Sequence, residues 1–326
     1  MAELNGLEDK LIAQVKRLLE SVWERRADLK DIDAWLGQFQ THDDPAQCER
    51  LQMLFLLSQF MYFGMFEMRA LLRSLYRDHF EYPFVERFRR ANGDTRDRTL
   101  IDAAFREELH GTRFVGLGNP SESSSHILYY FRQENRLEKR LFIGPGDIFH
   151  FVSDEEEGFL RHVRDPHIEH YVLIDDLCGS GDQVSGYSND IALPLRAFAE
   201  RAEREVRISY YALFGTSAGL DHVRGLGTFD RVECVVELDE SFRCFDPKSR
   251  YFANEQPPIS RLFAETICRT KGAELMPKSP LGYDDNQLLI GFGHNTPDNT
   301  LPVFSFDEPH RPPWTPIFRR YAKLDA

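Results

Sequence analysis

The chain has 326 residues, room for one large domain or two ordinary ones. Its 42% hydrophobic and 29% charged residues exclude collagen-like, mucin-like and disordered classes. Fifty-three Asp and Glu against 40 Lys and Arg leave a formal charge of −13, which disfavours nucleic-acid binding through a whole-molecule basic field and leaves only local patches for that role.

The first residues, MAELNGLEDK, are acidic where a signal peptide needs a basic start and an apolar centre, so secretion is not expected. From Leu7 to Trp23 apolar residues recur at steps of three and four, which predicts an amphipathic helix. The same spacing continues through Ile32, Trp35, Leu36 and Phe39, from Leu51 to Tyr76, and from Leu100 to Leu109, with turn signals at Thr41 to Pro45 and Ala91 to Asp94. Met53, Met61, Met65 and Met68 with Phe55, Phe60, Phe63 and Phe66 make the third helix apolar nearly all round, the pattern of a helix buried in a core or at an oligomer interface. Leu51 to Phe66 is interrupted by Gln52, Ser58 and Gln59 and is too short for a membrane span. Residues 1–110 therefore read as a helical region.

At Arg113 the texture changes to short apolar runs: Phe114 to Leu117, Leu141 to Ile143, Tyr171 to Ile174, Ile208 to Phe214, Val232 to Val236 and Leu288 to Ile290. Helical patterns separate several of them, including His126 to Asn135 and Leu195 to Glu205 after Pro194. Strands alternating with helices predict an α/β fold with a parallel sheet over residues 111–326. Cys48, Cys178, Cys234, Cys244 and Cys268 form no CxxC pair; they suggest neither a disulfide framework nor a zinc ribbon, and fit a reducing cytoplasm. His162, His167 and His170 lack the spacing of a zinc site. Arg87, Arg89, Arg90, Arg96 and Arg98 form a basic cluster diluted by Glu86, Asp94 and Asp97, a solvated face or a phosphate-backbone contact.

The segment with the most chemistry is Tyr171-Val-Leu-Ile-Asp-Asp-Leu-Cys-Gly-Ser-Gly-Asp-Gln183. An apolar run delivers Asp175 and Asp176 to the carboxyl end of a buried strand, where open α/β sheets bind ligands. Gly179, Ser180 and Gly181 follow, small enough for backbone N–H groups to surround an oxyanion. Carboxylates that accept bonds from ribose hydroxyls, beside a loop that cradles a 5′-phosphate, suit a sugar phosphate, and a divalent cation would offset the like charges. The alternative is a strand that ends in polar residues and a Gly turn. Cys178, beside the acids, is either a thiol of lowered pKa or a small loop filler. Phe114-Val-Gly-Leu-Gly-Asn-Pro-Ser-Glu-Ser-Ser-Ser125 is a second loop, either an anion site or a serine-rich helix cap. Near the end, Gly291-Phe-Gly-His-Asn-Thr-Pro-Asp-Asn-Thr-Leu-Pro302 runs from a strand into a loop whose side chains either close over a ligand or bond to one another.

The four apolar residues, two acids and Gly-rich turn resemble the phosphoribosyl pyrophosphate (PRPP) motif of type I phosphoribosyltransferases. With the Asn-Thr-Pro-Asp-Asn-Thr-Leu-Pro segment, residues 110–321 more closely resemble PRTase-CE, the phosphoribosyltransferase-like domain of bacterial conflict systems. The resemblance implies a parallel sheet with flanking helices and a hood. It implies Asp175 and Asp176 as catalytic, ribose-binding acids that meet Mg²⁺ indirectly, through the ligand. Gly179, Ser180, Gly181, Asp182 and Gln183 would form the phosphate and ribose loop, Gly118, Asn119, Ser123, Ser124 and Ser125 the pyrophosphate loop, and Asn295, Thr296, Asn299 and Thr300 a lid. Asp182 stands where Gly is common in the wider superfamily, and Gln183 where Thr or Ser usually binds phosphate. The implied activity is an antiphage effector that binds PRPP or a nucleotide with Mg²⁺ and makes or breaks an N-glycosidic bond. The alternative is an inactive nucleotide or PRPP sensor in a defence complex. The helical region 1–110 would then hold the effector inactive or dock a partner, a reverse transcriptase with its DNA product, as in a retron-like system, or a sensor protein; the residues themselves allow an oligomer through the helical region and predict no membrane.

Overall fold

The computed structural model describes residues 2–118, 123–154, 158–307 and 313–321. In chain order, helices α1 (Ala2–Ser21), α2 (Leu29–Leu36) and α3 (Glu49–Ser58) precede a short strand β1 (Met61–Phe63), and α4 (Met65–Ser74), α5 (Tyr82–Ala91) and α6 (Arg98–His110) follow it. Then come β2 (Thr112–Gly116), α7 (Ser123–Glu134), β3 (Phe142–Ile143), β4 (Phe149–Asp154), β5 (Gly158–Val163), β6 (His170–Cys178), α8 (Asp182–Tyr187), α9 (Leu193–Arg201), β7 (Arg207–Thr216), α10 (Ser217–Gly225) and β8 (Arg231–Leu238). The last part holds α11 (Arg261–Leu275), β9 (Ile290–Phe292) and α12 (Pro302–Ser305).

These elements form two compact units: Met1–Met68 with Leu238–Ala326, and Arg69–Glu237. The division differs from the boundary expected at residue 110. Residues 69–110, helical as expected, fold with the sheet that follows them, and residues 238–326 fold with the N-terminal helices.

In the first unit the apolar stripes of α1, α2 and α3 share one core with α11, α12 and the C-terminal segment. Trp35 is fully buried and its Nε1 donates to the Val303 carbonyl at 2.7 Å; Phe60 stacks on Phe318 with ring centroids 4.2 Å apart. The continuous helix expected from Leu51 to Tyr76 is broken here. Met61 to Phe63 pair in parallel with Ile290 to Phe292, so their backbone groups enter a two-stranded ladder in place of a helical one. Met53, Phe60 and Met68 are buried as expected, but Phe66 is exposed.

The second unit is built on a five-stranded sheet of order β3-β2-β6-β7-β8. Strands β3, β2, β6 and β7 are parallel. β8 runs the same way: its start lies at the start of β7, where Asp230 N–H donates to the Ile208 carbonyl, and its end lies at the end of β7, where the Ser217 hydroxyl donates to Glu237. Both faces are covered, which is why these strands read as unbroken apolar runs. On one face Tyr171, Leu173, Tyr210 and Ala212 pack with Val184, Ile191, Leu195, Leu220 and Val223 of the following helices. On the other, Phe114 meets Phe80 and Phe131, each with ring centroids 5.2 Å away. β4 and β5 form a separate antiparallel hairpin. Among the described residues, no helix is long and apolar enough to cross a membrane.

Candidate functional site

The parallel strands bring three loops to one edge of the second unit's sheet. β2 lies beside β6 with Gly116 opposite Ile174, and β6 lies beside β7 with Cys178 opposite Gly215. The segments after Gly116, Cys178 and Thr216 therefore leave the sheet at the same carboxyl edge.

Asp175 and Asp176 lie inside β6, which continues to Cys178. Successive side chains of a strand point to opposite faces, but the two carboxyl groups remain close enough to interact through charge and a side-chain hydrogen bond. Asp175 shares the face of Leu173 and is buried; its Oδ1 accepts the Asp176 N–H at 2.9 Å and its Oδ2 accepts the Tyr210 hydroxyl at 3.2 Å. Burial, and then the neighbouring Asp176 charge, push the Asp175 carboxyl well above the ordinary carboxylate range, against the pull of those hydrogen bonds. Asp176 is partly exposed, and its Oδ1 accepts the Leu177 N–H at 2.9 Å. The pair is thus one buried acid held by Tyr210 and one acid open to the edge.

Cys178 is buried, and burial followed by the charge of Asp175 pushes its thiol up to about 12. It fills space and is not an activated thiol.

The glycine turn that follows is held against α10. Gly181 has φ 87°, a left-handed conformation that favours glycine, and it opens a helical stretch that runs from α8 through residues 188–192 into α9. The Thr216 hydroxyl caps α10 by accepting the Gly219 N–H at 2.9 Å, and donates to the Gly179 carbonyl at 2.6 Å. A Cβ on Gly219 would lie 2.1 Å from the Gly179 oxygen, so the loop and α10 touch backbone to backbone. His222, one helical turn further on, bonds through Nε2 with the Ser185 hydroxyl at 2.9 Å. Ser180 donates its hydroxyl to Asp182 Oδ2 at 2.8 Å, which sets a carboxylate beside the glycine turn. Asp182 and Gln183 are exposed.

Gly118 has φ 113° and follows β2 at the same edge. Asn119 lies outside the described residues, and Ser123, Ser124 and Ser125 are described only as the backbone that starts α7.

Asn295, Thr296, Asn299 and Thr300 lie in the other unit and bond within it. The Thr300 hydroxyl donates to the Ile290 carbonyl at 2.6 Å and the Thr296 hydroxyl to the Phe318 carbonyl at 3.2 Å. Asn295 Oδ1 accepts the N–H groups of Thr296 and Tyr321, and the Asn299 carbonyl accepts the Leu288 N–H at 3.1 Å. Thr296, Asn299 and Thr300 are buried, so this loop has the form of a bonded turn, one of the two readings its residue types allow.

Tyr210, Thr216, Gly219 and His222 were not singled out by sequence reasoning. Thr216-Ser-Ala-Gly219 after an apolar run carries a helix-cap signal; the partners of Tyr210 and His222 come only from the pairing of β6 with β7 and the packing of α10.

No curated protein matches the chain. Solved structures that it resembles include the AQ2163 protein from Aquifex aeolicus, at 11% identity and a TM-score of 0.28 over 65% of this chain and 86% of that one. Another is the Helicobacter pylori xanthine-guanine-hypoxanthine phosphoribosyltransferase, at 9% identity and 0.21 over 42% and 88%. A third is the adenine phosphoribosyltransferase from Thermoanaerobacter pseudethanolicus, at 16% and 0.21 over 42% and 82%. The PRTase-CE family model matches residues 32–320, nearly the whole chain and including both the acidic strand and the Asn-Thr-Pro loop, and the protein belongs to that family.

Proposed function

We propose that the protein binds a ribose phosphate, PRPP or a nucleotide, at the carboxyl edge of its sheet and makes or breaks the N-glycosidic bond. The observation that carries this reading is the placement of Asp176 and the left-handed Gly181 turn together at the edge where α/β sheets take ligands. Asp176 would accept bonds from ribose hydroxyls, and the backbone N–H groups of Gly179 to Gly181 would face the 5′-phosphate. Asp175 would hold the strand end through Tyr210. Substitution at the anomeric carbon passes through an oxocarbenium-like state, for which positioning of ribose and stabilisation of the departing anion supply the catalysis.

Among the described residues no three His, Cys, Asp or Glu side chains converge as a metal cage. A Mg²⁺ ion would be held mainly by ligand phosphates, with Asp176 near it, as magnesium is commonly held. The proposed setting is a cytoplasmic bacterial defence system, with a reverse transcriptase and its DNA product or a sensor protein as partner.

A second reading, a sensor that binds without turnover, is favoured by the Asp182 carboxylate on the Ser180 hydroxyl, which adds negative charge where phosphate would sit. Calorimetry and mass spectrometry with PRPP and a nucleotide panel, with and without Mg²⁺, test both. Binding with product in wild type, and affinity lowered about tenfold or more in Asp176→Asn, support the enzyme; binding without product supports the sensor. Affinity unchanged in Asp176→Asn, or no binding at all, sinks the site.

A further inference from the structure

A second ligand-sized feature lies in the same unit, at the other end of the sheet. A cavity of about 110 Å³ opens where β6 and β7 begin, with His170 opposite Arg207 in register. Six residues of extended strand separate His170 from Asp176, a distance of roughly 20 Å, so this cavity and the acidic edge are separate places.

Three guanidinium groups line it, from Arg87 of α5, Arg207 of β7 and Arg231 of β8. The acids around them are already engaged. The Glu108 carboxylate accepts Arg207 at 2.8 Å and His170 Nδ1 at 3.2 Å. Asp230 takes Arg196 at 2.7 Å and the Ile208 N–H at 2.6 Å. Arg231 pairs with Glu233 at 3.2 Å and donates to the His79 carbonyl at 2.8 Å. Arg87 forms no ion pair among the described residues, although its charge reaches His170 and Tyr211. Counting the acids' partners, four guanidiniums stand against three carboxylates, and the surplus positive charge is that of the exposed Arg87, which lines the cavity.

The walls fix this arrangement. Phe80 stacks on the His170 ring with centroids 5.7 Å apart, and Tyr211 lies under the Arg231 guanidinium at 5.7 Å. His170 Nε2 meets the Ser209 hydroxyl at 2.9 Å, so the buried imidazole is bonded at both nitrogens. Two guanidiniums held in place, Arg207 and Arg231, with the unanswered charge of Arg87 beside them, suit a tetrahedral oxyanion. The volume is large enough to hold one such group.

We propose that this cavity is a second binding site, for a phosphate group, distinct from the acidic strand and glycine loop. Its ligand is inorganic phosphate or the phosphate of a small phosphomonoester.

The test is calorimetric titration of the full chain in a phosphate-free, low-salt buffer with inorganic phosphate and, separately, ribose 5-phosphate. Arg87 is exposed and outside every ion pair among the described residues, so its variants are expected to keep the wild-type melting temperature. Wild type should bind phosphate, Arg87→Ala should bind about tenfold more weakly or worse, Arg87→Glu should not bind, and Arg87→Lys should recover part of the loss. Asp176→Asn, at the other edge, should leave the Arg87-dependent binding unchanged, so this site stands or falls apart from the proposed ribose site. Tighter binding of ribose 5-phosphate than of phosphate, through the same Arg87 dependence, identifies a phosphomonoester as the ligand; the reverse order identifies the free ion. The proposal is overturned if wild type takes up neither, if all Arg87 variants bind as wild type does, or if binding is lost in Asp176→Asn and kept in Arg87→Ala.

Discussion

Asp175 and Asp176 differ by one position in a strand, and that step separates two faces and two environments. Asp175 turns toward the packed side, where Ala212 stands opposite and Tyr210, two residues back on the neighbouring strand, reaches it diagonally. The oxygens of this buried carboxyl, raised above its ordinary range, rely on the Tyr210 hydroxyl and the Asp176 N–H among their hydrogen-bond donors. Tyr210→Phe is therefore expected to lower stability by about 1 to 2 kcal/mol and to raise the Asp175 carboxyl further, because the lost bond is one that held it down. Urea denaturation of the variant measures the first, and a midpoint equal to that of wild type would refute the account. Asp176→Asn should show the converse pattern, a near-native midpoint with weakened ligand binding, since Asp176 is partly exposed.

At the scale of elements, the glycine loop is shaped by α10 as much as by its own sequence. The Thr216 cap and the bare Cα of Gly219 let the helix start directly against the Gly179 carbonyl. Gly219→Ala puts a methyl group 2.1 Å from that oxygen and must move loop or helix, at an expected cost of about 2 kcal/mol. Gly225, at the other end of α10, has open space where a Cβ would go, so Gly225→Ala should be neutral or stabilising by a few tenths of a kcal/mol. Melting temperatures of the two variants decide this, and a loss in Gly219→Ala no larger than that in Gly225→Ala would refute the close approach as the source of the cost. The same contrast explains what could be read beforehand. β2, β6 and β7 announce themselves because a strand buried on both faces is a continuous apolar run. β1 does not, because three apolar residues between helical patterns look helical until Ile290 to Phe292 offer them a ladder. The acids and the glycine turn were legible as a motif, whereas Tyr210 and His222 join the site only through strand pairing and helix packing, which no local pattern encodes.

For the molecule as a whole, the two compact units cut across the chain order, so the change in texture at Arg113 marks where strands begin and not where a unit begins. The helix α6 illustrates this, since Glu108, near its end, is tied to His170 and Arg207 at the first residues of β6 and β7. Burial alone would raise the Glu108 carboxyl; the hydrogen bonds from His170 and Arg207 overcome it and hold the group down at about 2. His170 is itself lowered, chiefly by burial, so near neutral pH the contact is a neutral imidazole donating to a carboxylate, not an ion pair. A carboxyl lowered by folding contributes its full stability above the unfolded value near 4.5 and loses it as pH falls through about 2. With Arg207 partly exposed and its charge screened, that contribution is about 2 kcal/mol. Glu108→Gln should therefore be less stable than wild type at neutral pH, by about that amount, and the gap should close as pH is lowered from about 4.5 to about 2. Urea midpoints across that range, followed by hydrogen exchange at the amides of β6 and β7, test this. A gap that stays constant down to the lowest pH would show that the glutamine disturbs packing and that the charge of Glu108 does not hold these elements together.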